Sequence, residues 1–239
     1  MHPQTPSVQA LIRPAPQNAD HGFVAREKTK LRLVCGVGVN DSETPIASAV
    51  RVNGKTRVTW KCPAYAAWAD MLYRCYSEKF QKRYPSYQGC SVSPRWLSLS
   101  TFRNWMFSQD YTGKHLDKDL LIPGNKVYSA ETCVFITPEL NNFLTEGHSR
   151  SGGLPIGASR HKQGRIDAQC RNPFTKRNEH IGLFDCPIEA HEAWRARKHE
   201  HACAYADLQD DPRVARALRS RYLNWDGLHT HDKAVRGAA

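Results

Sequence analysis

Residues 63–77 carry the clearest hydrophobic pattern in the chain. Apolar side chains recur there at helical spacing, at Tyr65, Trp68, Leu72, Cys75 and Tyr76. The pattern predicts an amphipathic helix, and Pro63 is suited to its first turn. A second aromatic cluster follows at Trp96, Phe102 and Trp105. We expect both sets to form one buried core rather than ligand contacts.

The hydrophobic period changes over residues 115–145. HLDKDLLI is typical of a strand, PGNKVYS of a turn-rich loop and ETCVFIT of a second strand. Thr137-Pro138 then marks the start of a short helix, PELNNFLTE. The sequence therefore predicts a strand, a loop, a strand and a helix in that order.

Three further strands and two helices are predicted toward the C-terminus. The strands are Ile156–Arg160, Arg165–Cys170 and Glu179–Phe184. One helix begins at Pro187, and a second spans Pro212–Asn224. A tight turn at 161–164 joins the first two strands. These elements predict a three-stranded antiparallel sheet packed on one helix.

The remaining segments define the predicted domain organisation. Residues 1–30 are rich in Pro and polar side chains and are expected to be a disordered tail. Short β-prone pieces follow at Leu31–Val39 and Thr56–Trp60, with a turn at Asn53-Gly54. GHSRSGGLP, at 147–155, has linker composition. We predict an α+β fold with domains at 31–146 and 155–206, then a basic helix and tail at 207–239.

Alternating polarity in the second C-terminal strand predicts a sheet with one apolar and one polar face. The apolar set is Ile166, Ala168 and Cys170, and the polar set is Arg165, Asp167, Gln169 and Arg171. The apolar set can pack on the helix through Ala190, Ala193 and Trp194. Nearby turns and strands add Arg160, Lys162, Lys176, Arg177 and His180 to the polar face. Such a platform fits the major groove, where Arg reads guanine and Gln reads adenine; an ordinary solvated face is the alternative.

The overall charge is consistent with a phosphate-rich partner. The chain has 34 Lys and Arg against 23 Asp and Glu, for a formal net charge of +11. Such an excess raises affinity for nucleic acid and does not indicate a fold. No apolar run approaches the roughly 20 residues that span a bilayer, and no signal-peptide core is present. We expect a cytoplasmic protein with no membrane partner.

The eight cysteines are scattered along the chain, and no C-x-x-C pair occurs among them. In a chain without a secretion signal, most are expected to be reduced thiols packed as small hydrophobic side chains. A zinc site assembled from distant ligands stays open as an alternative.

The C-terminal sheet and helix resemble a known DNA-binding family. From Pro155 to Tyr205, GASRHKQGRIDAQC and HIGLFDCPIEAHEAW resemble the Apetala/ethylene-response-factor domain of phage and bacterial homing nucleases. The matching signature is Ile181, Gly182, Phe184, Asp185, Glu189, Ala190, Ala193 and Trp194. The resemblance implies that the sheet lies in the major groove and that Arg160, Arg165, Gln169, Arg171 and Arg177 contact DNA. The family's second-strand aromatic is absent here, which leaves sequence preference open.

The unit at 115–145 has the element order of a ββα-metal nuclease. Such sites combine a general base on the first strand, an Asn in the loop, and a metal held by a carboxylate and a helix side chain. The candidates are His115, Asp117, Lys118, Asp119, Asn125, Asn141 and Asn142. Acids at i and i+2 on a strand share a face, so Asp117 and Asp119 could share one Mg²⁺. The alternative is a strand end with surface charges, followed by a turn at Asn125.

The span Tyr65–Leu144 also resembles phage proteins of the HNH endonuclease family. The stretches that carry the resemblance are WADMLYRCYS, YPSYQGCSVSPRW, LDKDLLIPGNKVYSAETCVFIT and ELNN. It implies cleavage of double-stranded DNA with Mg²⁺ or Mn²⁺ held by Asp117, Asp119 and Asn141. Asn125 stands near the family's loop Asn.

The family's catalytic His has no direct counterpart in this sequence. Lys118 or Asp119 stands at its position, and His115 lies two residues earlier. Because His is the usual general base, the resemblance leaves two alternatives. Either Asp119 takes that role, or the fold is kept without cleavage.

The two resemblances in tandem imply a homing-like endonuclease encoded by a phage or prophage and acting in the host cytoplasm. The sheet domain would select the site and the ββα unit would cleave it. One alternative is a non-catalytic, sequence-specific DNA-binding protein, such as a regulator or a phage accessory factor. Another is an RNA-directed protein, because phosphate attraction does not separate DNA from RNA.

Overall fold

The long helix predicted after Pro63 is present and organises the first half of the chain. The computed structural model describes residues 33–145 and 153–223. The predicted tail 1–30, most of the predicted linker and the tail from Asp226 lie outside the described residues. The described elements are, in order, β1 (Ala47–Val52), β2 (Lys55–Lys61), α1 (Pro63–Tyr76), α2 (Glu78–Arg83), β3 (Ser91–Val92), α3 (Leu99–Phe107), β4 (His115–Asp117), β5 (Val127–Tyr128), β6 (Val134–Ile136), α4 (Pro138–Leu144), β7 (Ala158–Arg160), β8 (Ile166–Arg171), β9 (Asn178–Phe184), α5 (Pro187–Ala206) and α6 (Pro212–Arg221).

The first core is aromatic, as the sequence predicts. Trp68 of α1 is fully buried, and its indole Nε1 donates a hydrogen bond to the Trp96 carbonyl at 2.7 Å. The Trp96 ring lies 5.0 Å from that of Phe102 and 4.4 Å from that of Trp105, measured between centroids. Phe102 and Trp105 belong to α3, a helix not predicted from the sequence. Ser98 caps this helix by accepting a hydrogen bond from the Thr101 amide.

The β-prone segment Leu31–Val39 is not a strand in its described part. Val34 bridges Gly38, and Val39 bridges Ser98, as isolated pairs. Gly38 packs so closely on α1 that a Cβ there would overlap Leu72. Tertiary contact with the aromatic core overrides the local β propensity of this segment.

Strands β1 and β2 form an antiparallel hairpin around the predicted Asn53-Gly54 turn. Asn53 and Gly54 have φ of 50° and 76°, the left-handed values that a two-residue hairpin turn requires. All residues of both strands are exposed. The hairpin therefore stands out from the core, with both faces open.

Strands β4 and β6 and helix α4 form the predicted strand-loop-strand-helix unit. The strands are antiparallel, with Asp117 opposite Val134, but β4 is shorter than predicted and ends before Leu120. Leu120 is buried, so the apolar stretch after β4 packs as a loop. The Thr137 hydroxyl caps α4 by accepting a hydrogen bond from the Leu140 amide.

The three-stranded sheet on one helix is confirmed. Its strand order is β7-β8-β9, all antiparallel, and α5 packs across it. A register shift lies between Ala168 and Gln169. Gly157, with φ of 86°, precedes β7 and lies directly against the Trp194 side chain of α5.

One buried cluster joins the ββα unit to the C-terminal helices α5 and α6. Leu140 and Phe143 of α4 share one buried cluster with Tyr205 of α5 and with Leu218 and Tyr222. Residues on the two sides of the predicted linker therefore pack against each other. The protein is thus a mixed α and β fold in which a three-stranded antiparallel sheet is connected to the other elements through α5 and α6.

The cysteines are free thiols, as predicted, and five of them are buried: Cys62, Cys75, Cys90, Cys133 and Cys170. Burial raises the pKa of Cys75 and of Cys133 to about 12. These thiols therefore stay protonated at neutral pH and behave as small hydrophobic side chains.

Candidate functional site

Strand β8 has the two faces that its alternation predicts. Ile166, Ala168 and Cys170 are 5% exposed or less. Gln169 and Arg171 are exposed on the opposite face. Because α5 covers the apolar face, the polar face is the one available to a partner.

Asp167 lies in the centre of the polar face and is nearly buried. Its Oδ2 accepts a hydrogen bond from Gln169 Nε2 at 2.5 Å. Its Oδ1 lies 2.9 Å from His180 Nδ1, on the neighbouring strand. The hydrogen bond to Oδ2 therefore fixes the direction of the Gln169 amide, and the Gln169 and His180 side chains both project from the face.

Arg165, directly before the central strand β8, is held at one end of the sheet. Its Nε donates a hydrogen bond to Asp185 Oδ1 at 3.0 Å, and a terminal nitrogen donates one to the Leu183 carbonyl at 2.6 Å. The side chain is still 45% exposed. It can present its remaining N–H groups in a fixed direction.

The end of β8 and the loop that follows it present three cationic side chains. Arg171, Lys176 and Arg177 are all exposed. Asn172 organises the loop, because its Oδ1 accepts hydrogen bonds from the amides of Phe174 and Thr175. Lys176 has φ of 60°, a left-handed conformation that turns the chain back into β9.

The first hairpin of the sheet contributes less to the polar face than the sequence suggested. Lys162 is exposed in the tight turn. Arg160, however, pairs with Ile166, so the register places it on the same side as Ala158, which faces α5. The prediction that Arg160 belongs to the polar face does not agree with this register, although its side chain is exposed at the end of the sheet.

The ββα unit brings His115 and Asn141 together. These residues are 26 positions apart, on β4 and α4, and His115 Nδ1 lies 3.5 Å from Asn141 Nδ2. Asp117 lies two positions after His115 on the same strand, so both point to one face. The imidazole of His115 and the amide of Asn141 thus adjoin where the strand and the helix meet, and Asp117 shares the strand face of His115.

Asp117 is partly buried and braces the loop after β4. Its Oδ1 accepts hydrogen bonds from the amides of Asp119 at 3.0 Å and Leu120 at 2.7 Å. Burial raises the pKa of the Asp117 carboxyl, and the nearby charge of Asp119 raises it further. The two carboxylates repel each other, a repulsion that a cation between them would relieve.

Lys118 and Asn125 have structural roles. Lys118 is only 8% exposed, and its Nζ donates hydrogen bonds to Asp119 Oδ2 at 3.0 Å and to the Asn125 carbonyl at 3.1 Å. Burial lowers the pKa of Lys118, but the Asp119 charge, the hydrogen bond to Asp119 and the nearby Asp117 charge together outweigh burial, and the net shift is upward. Lys118 is therefore a protonated ion-pair partner and is unsuited to act as a general base. The Asn125 Nδ2 donates to the carbonyls of Lys118 and Val127 and closes the loop.

The set of metal ligands predicted from the sequence is not fully assembled. Asp119 Oδ2 is engaged by Lys118, and residues 33–145 and 153–223 hold no group of three His, Cys, Asp or Glu side chains arranged for a metal ion. His115 and Asn141 are brought together instead, and Asp117 lies on the same face of β4 as His115. One imidazole, one carboxylate and one amide form a donor set suited to a divalent cation.

Three features of these sites do not emerge from the sequence. The partners His180 and Asp185 of the polar face depend on strand register, with Gln169 opposite His180. The strand alternation did place Asp167 among the polar residues, yet its near-complete burial between neighbours was not predicted. His115 lies two residues before the position that the HNH resemblance implies for the general base, yet the packing of α4 on β4 places Asn141 3.5 Å from it.

Comparison with protein-family models, with curated proteins and with solved structures finds no match for this chain. None of the helices in the described ranges is long and apolar enough to cross a membrane. The function of this protein must therefore be inferred from the two sites themselves.

Proposed function

We propose that this protein binds duplex DNA through the polar face of the β7–β8–β9 sheet. The observation that carries the proposal is the outward-facing Gln169 amide, oriented by Asp167 and flanked by exposed cations. An ordinary solvated face does not require an amide fixed by a nearly buried carboxylate. A base-reading surface does, because hydrogen-bond readout depends on the direction of each donor and acceptor.

The electrostatics of the face suit phosphate contacts. Its two acidic groups are engaged within the fold, Asp167 by Gln169 and His180 and Asp185 by Arg165. The outward charge is carried by Lys162, Arg171, Lys176 and Arg177. A chain with a net charge of +11 adds long-range attraction for a polyanion.

The shape of the sheet suits the major groove. A narrow sheet backed by a helix can enter a groove about 12 Å wide. The Gln169 amide keeps one N–H and its Oε1 available, which matches the N7 acceptor and N6 donor of adenine. The resemblance of Pro155–Tyr205 to the Apetala/ethylene-response-factor domain supports the same mode of binding.

Binding is tested with fluorescent duplex DNA titrated over a range of salt concentrations. Arg171→Gln is expected to weaken binding about tenfold and to reduce the salt slope by about one. Lys79→Gln removes the same charge from an exposed site on α2 and serves as the matched control. Equal losses in both variants would contradict a sheet interface. Competition with duplex RNA of equal length decides between the two nucleic acids.

A second function, metal-dependent DNA cleavage of the HNH type, is favoured by the approach of His115 to Asn141, with Asp117 on the same face of the strand. The resemblance of Tyr65–Leu144 to phage HNH endonucleases supports it, and a homing-like phage enzyme would combine both sites. Asp117 and Asn141 would hold a Mg²⁺ or Mn²⁺ ion, which polarises the scissile phosphate. With the Asn141 Oδ1 turned to accept the Nδ1 proton, His115 Nε2 is left to take a proton from water.

Cleavage is tested by nicking of supercoiled plasmid with Mg²⁺ or Mn²⁺. His115→Ala and Asn141→Ala are expected to slow nicking about 100-fold. Asn142→Ala, at the exposed neighbouring position of α4, should leave the rate unchanged. If wild-type protein binds duplex DNA and nicks none of it with either metal, the cleavage proposal fails. The alternative of a non-catalytic DNA-binding protein then stands.

A further inference from the structure

The β1–β2 hairpin is a strongly cationic element outside both sites. It carries Arg51, Lys55, Arg57 and Lys61, and no acidic residue occurs from 47 to 61. Each of its 13 strand residues is exposed, six in β1 and seven in β2. A polyanion could therefore approach either face of the hairpin without meeting an acidic side chain of the hairpin.

The hairpin also exposes large apolar side chains. Val50, Val52, Val58 and Trp60 are between 46% and 58% exposed. An isolated two-stranded hairpin is only marginally stable in water, and clustered apolar exposure is typical of a surface with a partner. Apolar groups on a basic ribbon can contact thymine methyl groups and sugars in a DNA groove.

The two faces of the hairpin differ in character. Cross-strand partners share a face, and the pairs are Val50 with Arg57, Val52 with Lys55 and Ser48 with Trp60. We call this side the Arg57 face. It continues into a hollow lined by Trp60, Phe107 and Arg103. The opposite face carries Arg51, Thr56 and Val58.

We propose that the Arg57 face of this hairpin enters a groove of duplex DNA as a second contact surface, separate from the β7–β8–β9 sheet. The inference rests on duplex DNA being the partner of the protein. Strands of this length reach about 20 Å, and paired strands lie about 4.8 Å apart. A ribbon of that width fits the major groove of B-form DNA, whereas the major groove of A-form RNA is too narrow.

Charge favours DNA over a second copy of the chain as the occupant. Pairing two hairpins would bring like-charged ribbons together, which is unfavourable, while DNA supplies the missing anions. The exposed valines would serve either partner equally. The four cations and the absence of acids between 47 and 61 therefore decide the assignment.

The test compares two double variants of the full chain that remove the same charge from opposite faces. Lys55→Gln/Arg57→Gln changes the Arg57 face, and Arg51→Gln/Lys61→Gln changes the other. Binding to duplex DNA is measured by fluorescence anisotropy across a salt series. The first variant is expected to bind about tenfold more weakly, with the salt slope reduced by about two. The second should lose less than about threefold. Circular dichroism checks that both variants are folded.

Equal losses in the two variants would overturn the proposal, because they would indicate unspecific attraction to the whole hairpin. Unchanged binding in both would also overturn it while leaving the sheet interface intact. Failure of the proposed function looks different, since wild-type protein would then show no salt-dependent binding at all. Sedimentation of wild-type protein without DNA tests whether a second copy of the chain occupies the face instead. A dimer that Lys55→Gln/Arg57→Gln dissociates would assign the face to a second copy.

Discussion

The chemical role of single residues in this protein depends on their neighbours in the structure. Lys118 is a candidate general base by sequence, yet burial beside Asp119 makes it an ion-pair partner. His115 stands two residues too early by sequence, yet it lies 3.5 Å from Asn141. The chemistry available at each residue follows from burial and distance, which a residue's type does not determine.

Gly157 gives a residue-scale prediction about stability. Its φ of 86° disfavours any other residue, and a Cβ there would also overlap Trp194. Gly157→Ala is therefore expected to destabilise the protein by more than about 3 kcal/mol, through strain and lost packing. The measurement is the free energy of unfolding in urea.

Gly164 is the matched control for this prediction. Its φ is 83°, but a Cβ there meets nothing within 4 Å. Gly164→Ala should cost only about 1–2 kcal/mol, the strain of the left-handed conformation alone. Equal losses at the two glycines would show that the Trp194 contact contributes nothing.

At the scale of elements, the N-terminus of α3 is stabilised by a carboxylate from a distant segment. Asp41 accepts hydrogen bonds from the Ser100 amide at 2.8 Å and from the Ser98 and Ser100 hydroxyls at 2.7 Å. Burial raises the pKa of Asp41, but the hydrogen bonds outweigh burial and lower it to about 2. A carboxylate at this end of a helix also complements its dipole.

The lowered pKa of Asp41 predicts a pH-dependent contribution to stability. An unfolded Asp has a pKa of about 3.9, so the contribution is complete above that value and is lost as pH falls through about 2. Asp41→Asn should reduce the unfolding free energy by about 1 kcal/mol at pH 7, a modest amount because the side chain is exposed. The difference should shrink in urea titrations at pH 2. A constant difference across that range would contradict the assignment.

At the scale of the whole molecule, α6 links parts of the chain that the sequence placed in separate domains. Leu218 is fully buried in the cluster that contains Leu140 and Phe143 of α4. Leu218→Ala is expected to cost about 3 kcal/mol because it leaves a cavity in this cluster. Hydrogen exchange should then become faster in α4 as well as in α6.

Leu208 provides the comparison for Leu218. It follows α5 and is 67% exposed, so Leu208→Ala should change stability by less than about 0.5 kcal/mol. Unchanged exchange in α4 after Leu218→Ala would mean that the ββα unit is stable without the C-terminal helices.

Sequence periodicity by itself determined the elements whose side chains alternate or recur strongly. The helical spacing around Trp68 predicted α1 and its aromatic core, and alternation from Ile166 to Arg171 predicted β8 and its covered face. Thr137-Pro138 predicted the start of α4. These predictions succeed because backbone period and side-chain direction are local properties.

Tertiary structure alone decided the pairings on which the candidate sites depend. The His115–Asn141 approach, the Asp167–His180 contact and the side of the sheet that carries Arg160 follow from strand length and register. Local periodicity does not fix register, since it depends on how distant segments pack. The cationic hairpin was visible in the sequence as a β-prone segment with a turn, but its exposure on both faces depended on where the rest of the chain built its core.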